Sequence, residues 1–329
     1  MTAYTQWIRK VGLFITNRSA ALQGPGGISD ASGEALDLSA FRIKFSVHNA
    51  DIESPNTCTV RVYNLSPSTV KQIRGEYSSL VLNAGYENGN YGVVFQGTIM
   101  QIKVGRENAT DSFLDLYASD GDIGYNQGIV NASLARGTPA DQIALKVANS
   151  MPGLGTDFGS LATQPGNFPS IRGTVLMGMG RARLRNIASS LDSGWSIQNG
   201  KVTFTPNTGY QDGEAVVINS TTGMIGMPEQ TDGGVRVLCL LNSRIRIGGR
   251  VKLNNSEINQ FENAKSNAAG ISYNQWSGFQ PIAPLNGDGM YRAFTVEHEG
   301  DNRGGPWYTQ LTCLAVNETS APNESVAPQ

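Results

Sequence analysis

The feature that most constrains the fold is a strict alternation of apolar and polar side chains in the first third of the chain. Between Phe41 and His48 every second residue is apolar, and the residues between them are polar or charged. Successive side chains of a β-strand point to opposite faces, so the pattern predicts a strand with one buried face and one wet face. Related runs predict further strands at Val11–Ile15, Thr57–Tyr63, Leu80–Ala84, Gly92–Val104 and Phe113–Ala118.

Turn and capping residues separate these strands. Gly105–Ser112 is polar and contains Gly, Asn and Asp, which favours a turn between two antiparallel strands. Ser66 followed by Pro67 is typical of a helix start, because the serine oxygen can accept a hydrogen bond from the first turn and proline needs no donor there. Residues 38–120 are therefore predicted to form an antiparallel β unit with one short helix that continues through Ile73.

The middle of the chain has a different period. Apolar residues three and four positions apart predict two helices, one from Thr138–Asp141 to Met151 and one at Arg181–Leu191, terminated by Gly194. Asn199-Gly200 between two short strand-like segments is a strong signal for a two-residue β-hairpin. We expect a small α+β module here.

Strand patterns return after Gly233-Gly234. Segments rich in Gly, Ser, Asn and Ala are predicted to be loops, namely Ala20–Glu34 and Asn254–Asp288. The strands predicted in this last part are Val235–Leu241, Arg250–Leu253, Tyr291–His298 and Tyr308–Val316.

Two segments of equal length share one order of elements. Gly92–Asp120 and Gly289–Asn317 each begin with glycine and contain a long strand, a polar turn and a second strand. Any two long hairpins can look alike, so the residues alone leave an internal duplication open.

Composition limits the classes of function. Charged residues make up 16% of the 329 positions, below the roughly 25% of an ordinary soluble domain, and there are 39 glycines. This composition favours many turns and large surfaces that contact protein. The formal net charge of −2 gives no general attraction to nucleic acid or anionic membrane. Basic residues do cluster at Arg181, Arg183 and Arg185 and from Arg236 to Lys252, where solvated faces are the expected explanation.

No segment is expected to enter a membrane. A span needs roughly 20 apolar residues, and no run approaches that length. The apolar run Val11–Ile15 is also shorter than the core of an export signal. We therefore expect synthesis in the cytoplasm and no direct membrane insertion.

Residues for nucleophilic or metal chemistry are scarce. His48 and His298 lie in different predicted units, and no G-x-S-x-G motif occurs, so a catalytic triad is unsupported. The cysteines are Cys58, Cys239 and Cys313, widely spaced among apolar neighbours without a C-x-x-C pair, so neither zinc nor a disulfide framework is expected.

Carboxyl pairs give the strongest enzyme signal. Glu297, Glu299 and Asp301 lie within five residues, and two strand residues on one face are about 6.6 Å apart, inside the range of roughly 5–10 Å that glycoside hydrolases use. Strands entering Gly/Asp/Asn turns commonly carry such charges, and we favour that interpretation here and for Asp120 and Asp122. No catalytic, cofactor-binding or metal-binding residue is assigned.

One glycine-rich segment invites comparison with phosphate-binding loops. Gly178-Met179-Gly180 precedes the second predicted helix, but it lacks the third glycine of a dinucleotide site and the Lys-Ser/Thr of a P-loop. We do not assign it to phosphate binding.

Several motifs resemble the first tube-like domain of phage tail and baseplate hub proteins. They are Phe41–Val47, Pro55-Asn56, Val60–Ser66, Leu82–Tyr86 and Val94–Ile99. A later group is similar to the second tube-like domain of the same family, namely Gly289–Tyr291, Val296–Gly304 and Trp307–Thr309. The order of these pieces carries the resemblance, and with the module between them they extend from about Val11 to Asn317.

The resemblance implies a fold that is mainly β with a small α+β module: two tube-like antiparallel β-barrel domains flanking an inserted middle domain. The implied limits are residues 1–122 for the first tube-like domain, 123–234 for the middle module and 235–318 for the second tube-like domain. Residues 319–329 are expected to form a flexible tail.

The resemblance also implies a structural virion protein and no enzyme. As the homotrimeric central hub of a tail baseplate, assembled in the host cytoplasm, it would present six related domains to a hexameric tail tube and form part of the channel for genome ejection. The implied partners are the tail tube protein, a spike or tail-tip protein, and tape-measure and baseplate wedge proteins, with DNA only as transient cargo in the lumen. Two other classes stay open, namely another tail adaptor or contractile-injection hub, and a carbohydrate-active β protein.

The channel imposes a condition on charge. Each Lys or Arg that contacts phosphate adds affinity, so a bore through which DNA slides should lack basic patches. The arginines between 236 and 252, including Arg244 and Arg246, are therefore expected to face protein or the exterior.

Overall fold

The protein is built mainly from β-strands, as predicted. The computed structural model describes residues 6–16, 35–158, 167–231, 233–259, 285 and 287–316. The predicted loop Ala20–Glu34, most of Asn254–Asp288 and the predicted tail 319–329 lie outside the described residues. Among the helices of the described ranges, none is both long and apolar enough to cross a bilayer.

The first part of the chain contains every strand that its alternation predicts. Ile43, Phe45 and Val47 are buried, whereas the polar residues between them are only partly covered. The elements are β1 (Arg9–Thr16), β2 (Leu36–Asp37), β3 (Ile43–Ala50), β4 (Thr57–Tyr63), α1 (Pro67–Glu76), β5 (Ser79–Tyr86), β6 (Tyr91–Arg106) and β7 (Ser112–Ser119).

Helix α1 begins where its capping residues predict. The Ser66 hydroxyl oxygen accepts a hydrogen bond from the Thr69 backbone nitrogen at 3.1 Å, and Pro67 occupies the first turn. The helix continues to Glu76, beyond the predicted Ile73. Ile73 is its buried residue and packs into the first core cluster.

Strand β6 changes partners half-way along its 16 residues. Tyr91–Thr98 pairs with β5, and Thr98–Arg106 pairs with β7. At Gly97 a Cβ atom would lie 2.6 Å from the Ser119 carbonyl oxygen and 2.8 Å from the Phe95 ring, so only glycine fits where the sheet turns. The turn folds the sheet around the first core.

One sheet runs through the first and last parts of the chain. Its 13 strands include a path that begins with the segments Met224–Thr231, Gly234–Leu240, Trp307–Ala315 and Met290–Asp301 and continues through β3, β4, β7, β6, β5, β1 and β2. The segment Met290–Asp301 pairs antiparallel with β3, with Thr295–Asp301 opposite Lys44–Ala50. The two predicted β domains thus share a sheet, while their limits and their closure into barrels stay predictions.

The middle part contains both predicted helices and the predicted hairpin. Asn199 and Gly200 have φ values of 52° and 75°, the left-handed pair that a two-residue hairpin of type I′ requires. The elements are α2 (Asp122–Gln127), β8 (Ile129–Leu134), α3 (Ala140–Ala148), β9 (Gly155–Asp157), β10 (Thr174–Met179), α4 (Gly180–Ser190), β11 (Ser193–Gln198) and β12 (Lys201–Pro206).

The prediction that Gly194 terminates α4 was wrong. Gly194 lies within β11 and pairs with Thr205. The helix ends at Ser190, and the left-handed residue that follows it is Asp192, with a φ of 49°. Asp is one of the few non-glycine residues that enter this region at low cost, so the chain did not need glycine there.

The last part contains the four predicted strands and two that were missed, β13 and β14. β14 includes Gly226 and Pro228 and has a register shift between Ile225 and Glu229, so it lacks a regular alternation. The strands are β13 (Val216–Val217), β14 (Met224–Thr231), β15 (Gly234–Leu240), β16 (Arg250–Lys252), β17 (Met290–Asp301) and β18 (Trp307–Ala315), and a 3-10 helix occupies Asn255–Glu257.

Three hydrophobic clusters follow the chain in order. The first gathers residues between 11 and 118 together with Leu241 and Trp307, the second lies between 130 and 204, and the third between 218 and 313. Phe45 and Trp307 meet edge to face at 5.5 Å between ring centroids. The last part of the chain therefore completes the core of the first.

Candidate functional site

The outward face of six neighbouring strands, β18, β17, β3, β4, β7 and β6, joins distant parts of the chain, and β15 borders it with Leu238 and Leu240 opposite Gln310 and Tyr308. Residues paired in register across these strands form rows, and we call the surface that they make the polar sheet face. Its three main rows are Gln310-Glu297-His48-Thr57-Ser119, Tyr308-Glu299-Ser46-Thr59-Tyr117-Gln101 and Asp301-Lys44-Arg61-Asp115-Lys103.

The alternate residues of these strands point into the core. Val47 and Val60 on one side, and Val296 and Leu311 on the other, are almost completely buried. Because successive side chains point to opposite faces, a single alternation places these apolar residues inside and the polar rows outside. The polar face is thus fixed by the same pattern that forms the core.

Charges on the polar sheet face are largely neutralised within it. The guanidinium of Arg61 donates two hydrogen bonds to Asp115, at 2.7 and 3.0 Å, and lies over the Phe113 ring at 4.1 Å. Arg42 donates to Asp301 at 2.8 Å. The cations in the rows and on β15 are Lys44, Arg61, Lys103 and Arg236, and the anions are Asp115, Glu297, Glu299 and Asp301. Arg42 adds one cation beside the rows, so the face is polar and its formal charges are nearly balanced.

Two of the three carboxyl groups that gave the enzyme signal, Glu297 and Asp301, have structural partners, while Glu299 is exposed on the polar sheet face. Glu297 Oε1 lies 3.0 Å from His48 Nδ1 across two strands. Asp301 is nearly buried, where burial alone would raise its pKa, but hydrogen bonds from Arg42 and from the Arg303 backbone hold that pKa below the ordinary value. These contacts favour the turn interpretation of Asp301.

A second functional region joins the middle module to the sheet, and we call it the module junction. The Asn56 side chain accepts a hydrogen bond from the Ala50 nitrogen at 3.0 Å and donates to the Ile197 carbonyl at 3.0 Å. Gln198 donates back to the Ala50 carbonyl at 2.9 Å. The β11–β12 hairpin is thus hydrogen-bonded to the end of β3.

Asp120 fixes the tip of that hairpin. Its carboxylate accepts a hydrogen bond from the Gly200 nitrogen at 2.7 Å, and its own nitrogen donates to the Asn56 carbonyl at 2.9 Å. Burial raises the pKa of Asp120 to about 7, although hydrogen bonds from Gly200 and Asn199 favour the charged form. Asp122, which shared the sequence signal, accepts from the Asn126 side chain at the start of α2.

Asp51 and Arg292 connect three parts of the chain at the same junction. Asp51, just beyond β3, lies 3.3 Å from the hydroxyls of Ser196 and Thr205 on the hairpin. Arg292 on β17 donates to the Pro206 carbonyl at 2.5 Å. Burial raises the pKa of Asp51, and the charge of Arg292 opposes that shift.

The arginines of α4 serve separate structural roles. Arg185 makes a bidentate ion pair with Glu53, with Nε–O distances of 2.9 and 2.7 Å, and adds a third contact to the junction. Arg183 donates to the Met177 carbonyl, and Arg181 lies over the Tyr125 ring at 4.8 Å. They do not converge on a shared phosphate-sized site in these contacts, which agrees with leaving Gly178-Met179-Gly180 unassigned.

The three cysteines and His298 are buried packing residues, whereas His48 lies on the polar sheet face. Cys58, Cys239 and Cys313 are free and buried, and burial raises the pKa of each thiol. His298 is buried, which lowers its pKa to about 4, and its Nδ1 lies 2.9 Å from the Thr309 hydroxyl. Within the described ranges no group of three or more His, Cys, Asp or Glu residues is arranged to hold a metal ion.

Sequence reasoning did not find the module junction. Asp51 and Arg292 lie outside the named motifs, and the Pro55-Asn56 motif does not indicate what Asn56 contacts. Their partners in the β11–β12 hairpin are more than 80 positions away. The only local signal was Asn199-Gly200, which predicts the hairpin but not what it contacts.

Comparisons of fold identify tail proteins. The chain superimposes on the 43 kDa tail protein of prophage MuSo2 from Shewanella oneidensis with a TM-score of 0.55 at 6% identity, covering 95% of this chain and 99% of that one. For a tail protein of Neisseria meningitidis MC58 the values are 0.52 and 10%, with 93% and 96% covered.

A third similar structure comes from a secretion system. The E. coli c3393 protein, a component of the type VI secretion system described as structurally similar to the T4 tail proteins gp27 and gp5, gives a TM-score of 0.51 at 11% identity, with 88% of this chain and 77% of that one covered. At such identities these likenesses establish the fold alone.

Sequence comparison establishes the family. No curated protein matches the sequence. The model of the family described as Baseplate hub gp41 matches residues 27–274, about three quarters of the chain. The phage hub resemblance read from the strand motifs is thereby confirmed, and the protein is a member of the Baseplate hub gp41 family.

Proposed function

We propose that this protein is the structural, non-enzymatic hub of a phage tail baseplate, and that three copies form a ring around a channel lined by the polar sheet face. Family membership supports the hub role. The observation that carries the channel assignment is the continuity of one polar, charge-balanced face across strands from both ends of the chain.

The face suits a passage for DNA. A channel wall must be wetted, and the side chains on this face are polar along the rows while the opposite face is core. A wall with a net positive charge would hold the phosphate backbone, because each cationic contact adds affinity. Neutralising pairs such as Arg61–Asp115 let the wall be polar without attracting DNA.

The position of the arginines fits this assignment with one exception. Arg244 lies 3.6 Å from Glu214, and neither residue belongs to the rows of the polar sheet face. Arg236 is exposed on β15 and is paired in register with Thr312, next to the rows. On this proposal Arg236 borders the channel, contrary to the expectation that every arginine from 236 to 252 faces away.

The pairing of the sheet supports ring formation. Beyond Thr98 the strand β6 pairs only with β7 among the described strands, and Met100 and Val104 on it are exposed. At the β14 end of the sheet, the pairing of β14 is interrupted by its register shift and the strand contains Pro228, features that blunt an edge. A neighbouring subunit would cover the β6 edge, since an uncovered edge strand invites uncontrolled pairing.

In the proposed ring, two similar hairpins in each of three chains would match the sixfold symmetry of the tail tube. β6–β7 and β17–β18 are both long, antiparallel and interrupted by a register shift, near Met100 and Phe294 respectively. Two such units in each chain would give six around the axis. Duplication of an ancestral unit would explain the equal length of the two segments.

The proposed partners follow from this position. They are two further copies of the chain, the tail tube protein on one side, a spike or tail-tip protein on the other, and tape-measure and baseplate wedge proteins nearby. DNA is a transient cargo, and no membrane insertion is involved. The proposed location is the virion baseplate, assembled in the host cytoplasm.

A hub of a related injection machine is the second candidate, because the fold is shared with a type VI secretion component. Native mass measurement of the purified protein, alone and with its spike partner, tests the main proposal. Trimers in either sample support the hub. A monomer in both samples that binds or cleaves glycans would support the carbohydrate-active class instead.

A further inference from the structure

Most cations of the polar sheet face are concentrated in one band across its strands. The basic residues of this face between the row of Glu299 and the β6–β7 turn are Arg42, Lys44, Arg61 and Lys103. We call these four residues the cationic band. Two carboxylates, those of Asp115 and Asp301, lie in the same row, so four cations and two anions give a formal charge of +2.

Two aromatic rings orient three of these cations. The Arg42 guanidinium carbon and the Lys44 ammonium nitrogen lie 4.8 and 5.3 Å from the centroid of one ring, that of Tyr63. The Arg61 guanidinium lies 4.1 Å from the centroid of Phe113. Cation–π attraction favours each contact, but two cations over one ring also repel each other. An anion between them would remove that repulsion.

The two arginines are held in place by carboxylates. Arg61 donates to Asp115 through Nε and Nη2 at 2.7 and 3.0 Å, and Arg42 donates to Asp301 through Nη2 at 2.8 Å. A paired arginine adds little net charge. A guanidinium has five N–H groups, however, and the two side chains are 32% and 43% exposed, so unused N–H groups can donate to an oxygen that arrives from the solvent side.

The two lysines carry the charge that pairing does not neutralise. In the part of the chain that the structure describes, neither Lys44 nor Lys103 forms an ion pair. Lys44 stands in register opposite Asp301, and both carboxylates of the row already accept hydrogen bonds from arginines. Three strand spacings separate the lysines, which places their backbones about 14 Å apart.

Carboxylates lie on both sides of the cationic band along the strands. Toward the middle module, the next two rows contain Glu299 and Glu297. In the opposite direction, the β6–β7 turn contains Glu107 and Asp111. In a closed ring the band would therefore form one cationic level between acidic levels. Attraction for a polyanion is confined to that level.

We propose that the cationic band binds phosphate groups of the DNA backbone, with Lys44 and Lys103 as the principal ligands. The inference rests on the proposed function, because the channel is what brings DNA to this face. Lysine and arginine are usual ligands of DNA phosphates, and such contacts do not depend on base sequence. Contacts at one level can hold DNA at rest, whereas basic residues along the whole wall would retard its passage.

The test removes two lysine charges at two different places. Lys44→Gln combined with Lys103→Gln neutralises the principal ligands and leaves both arginine–carboxylate pairs intact. Lys71→Gln combined with Lys146→Gln is the matched control, because these lysines are exposed on α1 and α3. Fluorescence anisotropy of a short labelled DNA duplex measures the affinity of each full-length protein over a series of NaCl concentrations. Circular dichroism and native mass measurement check the fold and the oligomeric state.

The dependence of affinity on salt gives the sharpest expectation. Each lysine–phosphate contact that is lost should make the slope of log K against log salt shallower by about 0.9, so we expect a change of about 1.8 in the Lys44/Lys103 variant. At low salt its affinity should fall on the order of tenfold. The Lys71/Lys146 variant should bind like the wild type. Glu299→Gln should bind more tightly, because it removes a carboxylate from the row beside the band.

The outcomes separate this inference from the proposed function. Wild-type trimers that do not bind the duplex at low salt, or an unchanged slope in the Lys44/Lys103 variant, overturn the inference and leave the ring intact. Equal losses in the two lysine variants also overturn it, because binding would then reflect total charge.

Two further results assign the band differently. Binding of poly-glutamate without binding of the duplex overturns the inference and assigns the band to an acidic protein. A chain that binds DNA through Lys44 and Lys103 but stays monomeric, alone and with its spike partner, supports the phosphate site and contradicts the ring.

Discussion

At the scale of single residues, the Asp120 carboxyl group connects the end of β7 to the tip of the β11–β12 hairpin, and its contribution to stability depends on pH. It is buried, it accepts a hydrogen bond from Gly200 at the hairpin tip, and its pKa is raised to about 7. The folded state therefore binds a proton that the unfolded state releases between about pH 4 and 7. Stability from this group is complete below the ordinary pKa of 3.8 and is lost as pH rises toward 7.

His298 has the opposite effect on stability. Its pKa is lowered to about 4 by burial, so the unfolded state takes up a proton first as pH falls below the ordinary 6.5. Stability from His298 is lost between about pH 6.5 and 4. In the wild type, the contributions of Asp120 and His298 to stability change with pH in opposite directions. A variant that lacks the Asp120 carboxyl group therefore separates the two contributions.

Asp120→Asn tests this contribution. Asparagine keeps a carbonyl oxygen for the Gly200 nitrogen and cannot ionise. Relative to the wild type, we expect the variant to gain stability from pH 5 to pH 8, by on the order of 1 kcal/mol per pH unit up to pH 7. Thermal unfolding of both proteins at the two pH values measures the difference. A difference that does not change with pH would contradict the assignment.

At the scale of elements, the alternation predicted strands well where one face is core and the other is wet. β3 and β4 were placed within two residues of their observed limits because their patterns are local and regular. β10 was missed because Val175 and Met177 on its outer side are as apolar as Leu176 on its inner side. No two-residue period is visible in such a strand.

Long-range pairings could not be predicted in the same way. Nothing near Asn56 in the sequence indicates that it binds Ile197, 141 positions away. The pairing of β17 with β3, which places the polar rows side by side, likewise has no local signal. The resemblance to hub proteins supplied the order of the parts, whereas the module junction became visible only in three dimensions.

Two glycine-to-alanine variants compare the hairpin tip with the residue that the sequence predicted to terminate α4. Gly200→Ala places a Cβ on a residue with a φ of 75°, and we expect it to lower the free energy of unfolding by about 1 kcal/mol. Gly194→Ala changes a strand residue without positive φ, where the nearest atom to the new Cβ is 3.9 Å away. We expect little loss there.

Chemical denaturation of the two alanine variants checks this comparison. If Gly194→Ala were the more destabilising change, Gly194 would be the conformationally demanding position, as the sequence had suggested. Equally small losses in both variants would mean that the hairpin tip tolerates a side chain and that its left-handed geometry is not required.

At the scale of the whole molecule, the first and last β parts depend on one another. Trp307 from β18 is buried in the first core cluster, and Gly300 leaves room for it beside Phe45, since a Cβ on Gly300 would lie 2.8 Å from the Trp307 ring. The shared sheet and shared core indicate that the two parts form one cooperative unit.

Trp307→Ala tests that cooperativity. Removing a buried tryptophan costs about 3–5 kcal/mol, and we expect one urea transition shifted to lower concentration when it is followed by far-UV circular dichroism. Two separated transitions, with the first β part unaffected, would show that the parts fold independently. Leu145→Asp, on the exposed side of α3, serves as the control with little change.

The central claim is that both β parts line one channel. Electron cryo-microscopy of the purified oligomer, or of its complex with the spike partner, tests this claim most directly. The account predicts a threefold ring whose central passage is lined by Lys44, Glu297 and Glu299, with the middle module outside. A ring in which those residues face outward, or an assembly without a central passage, would contradict it.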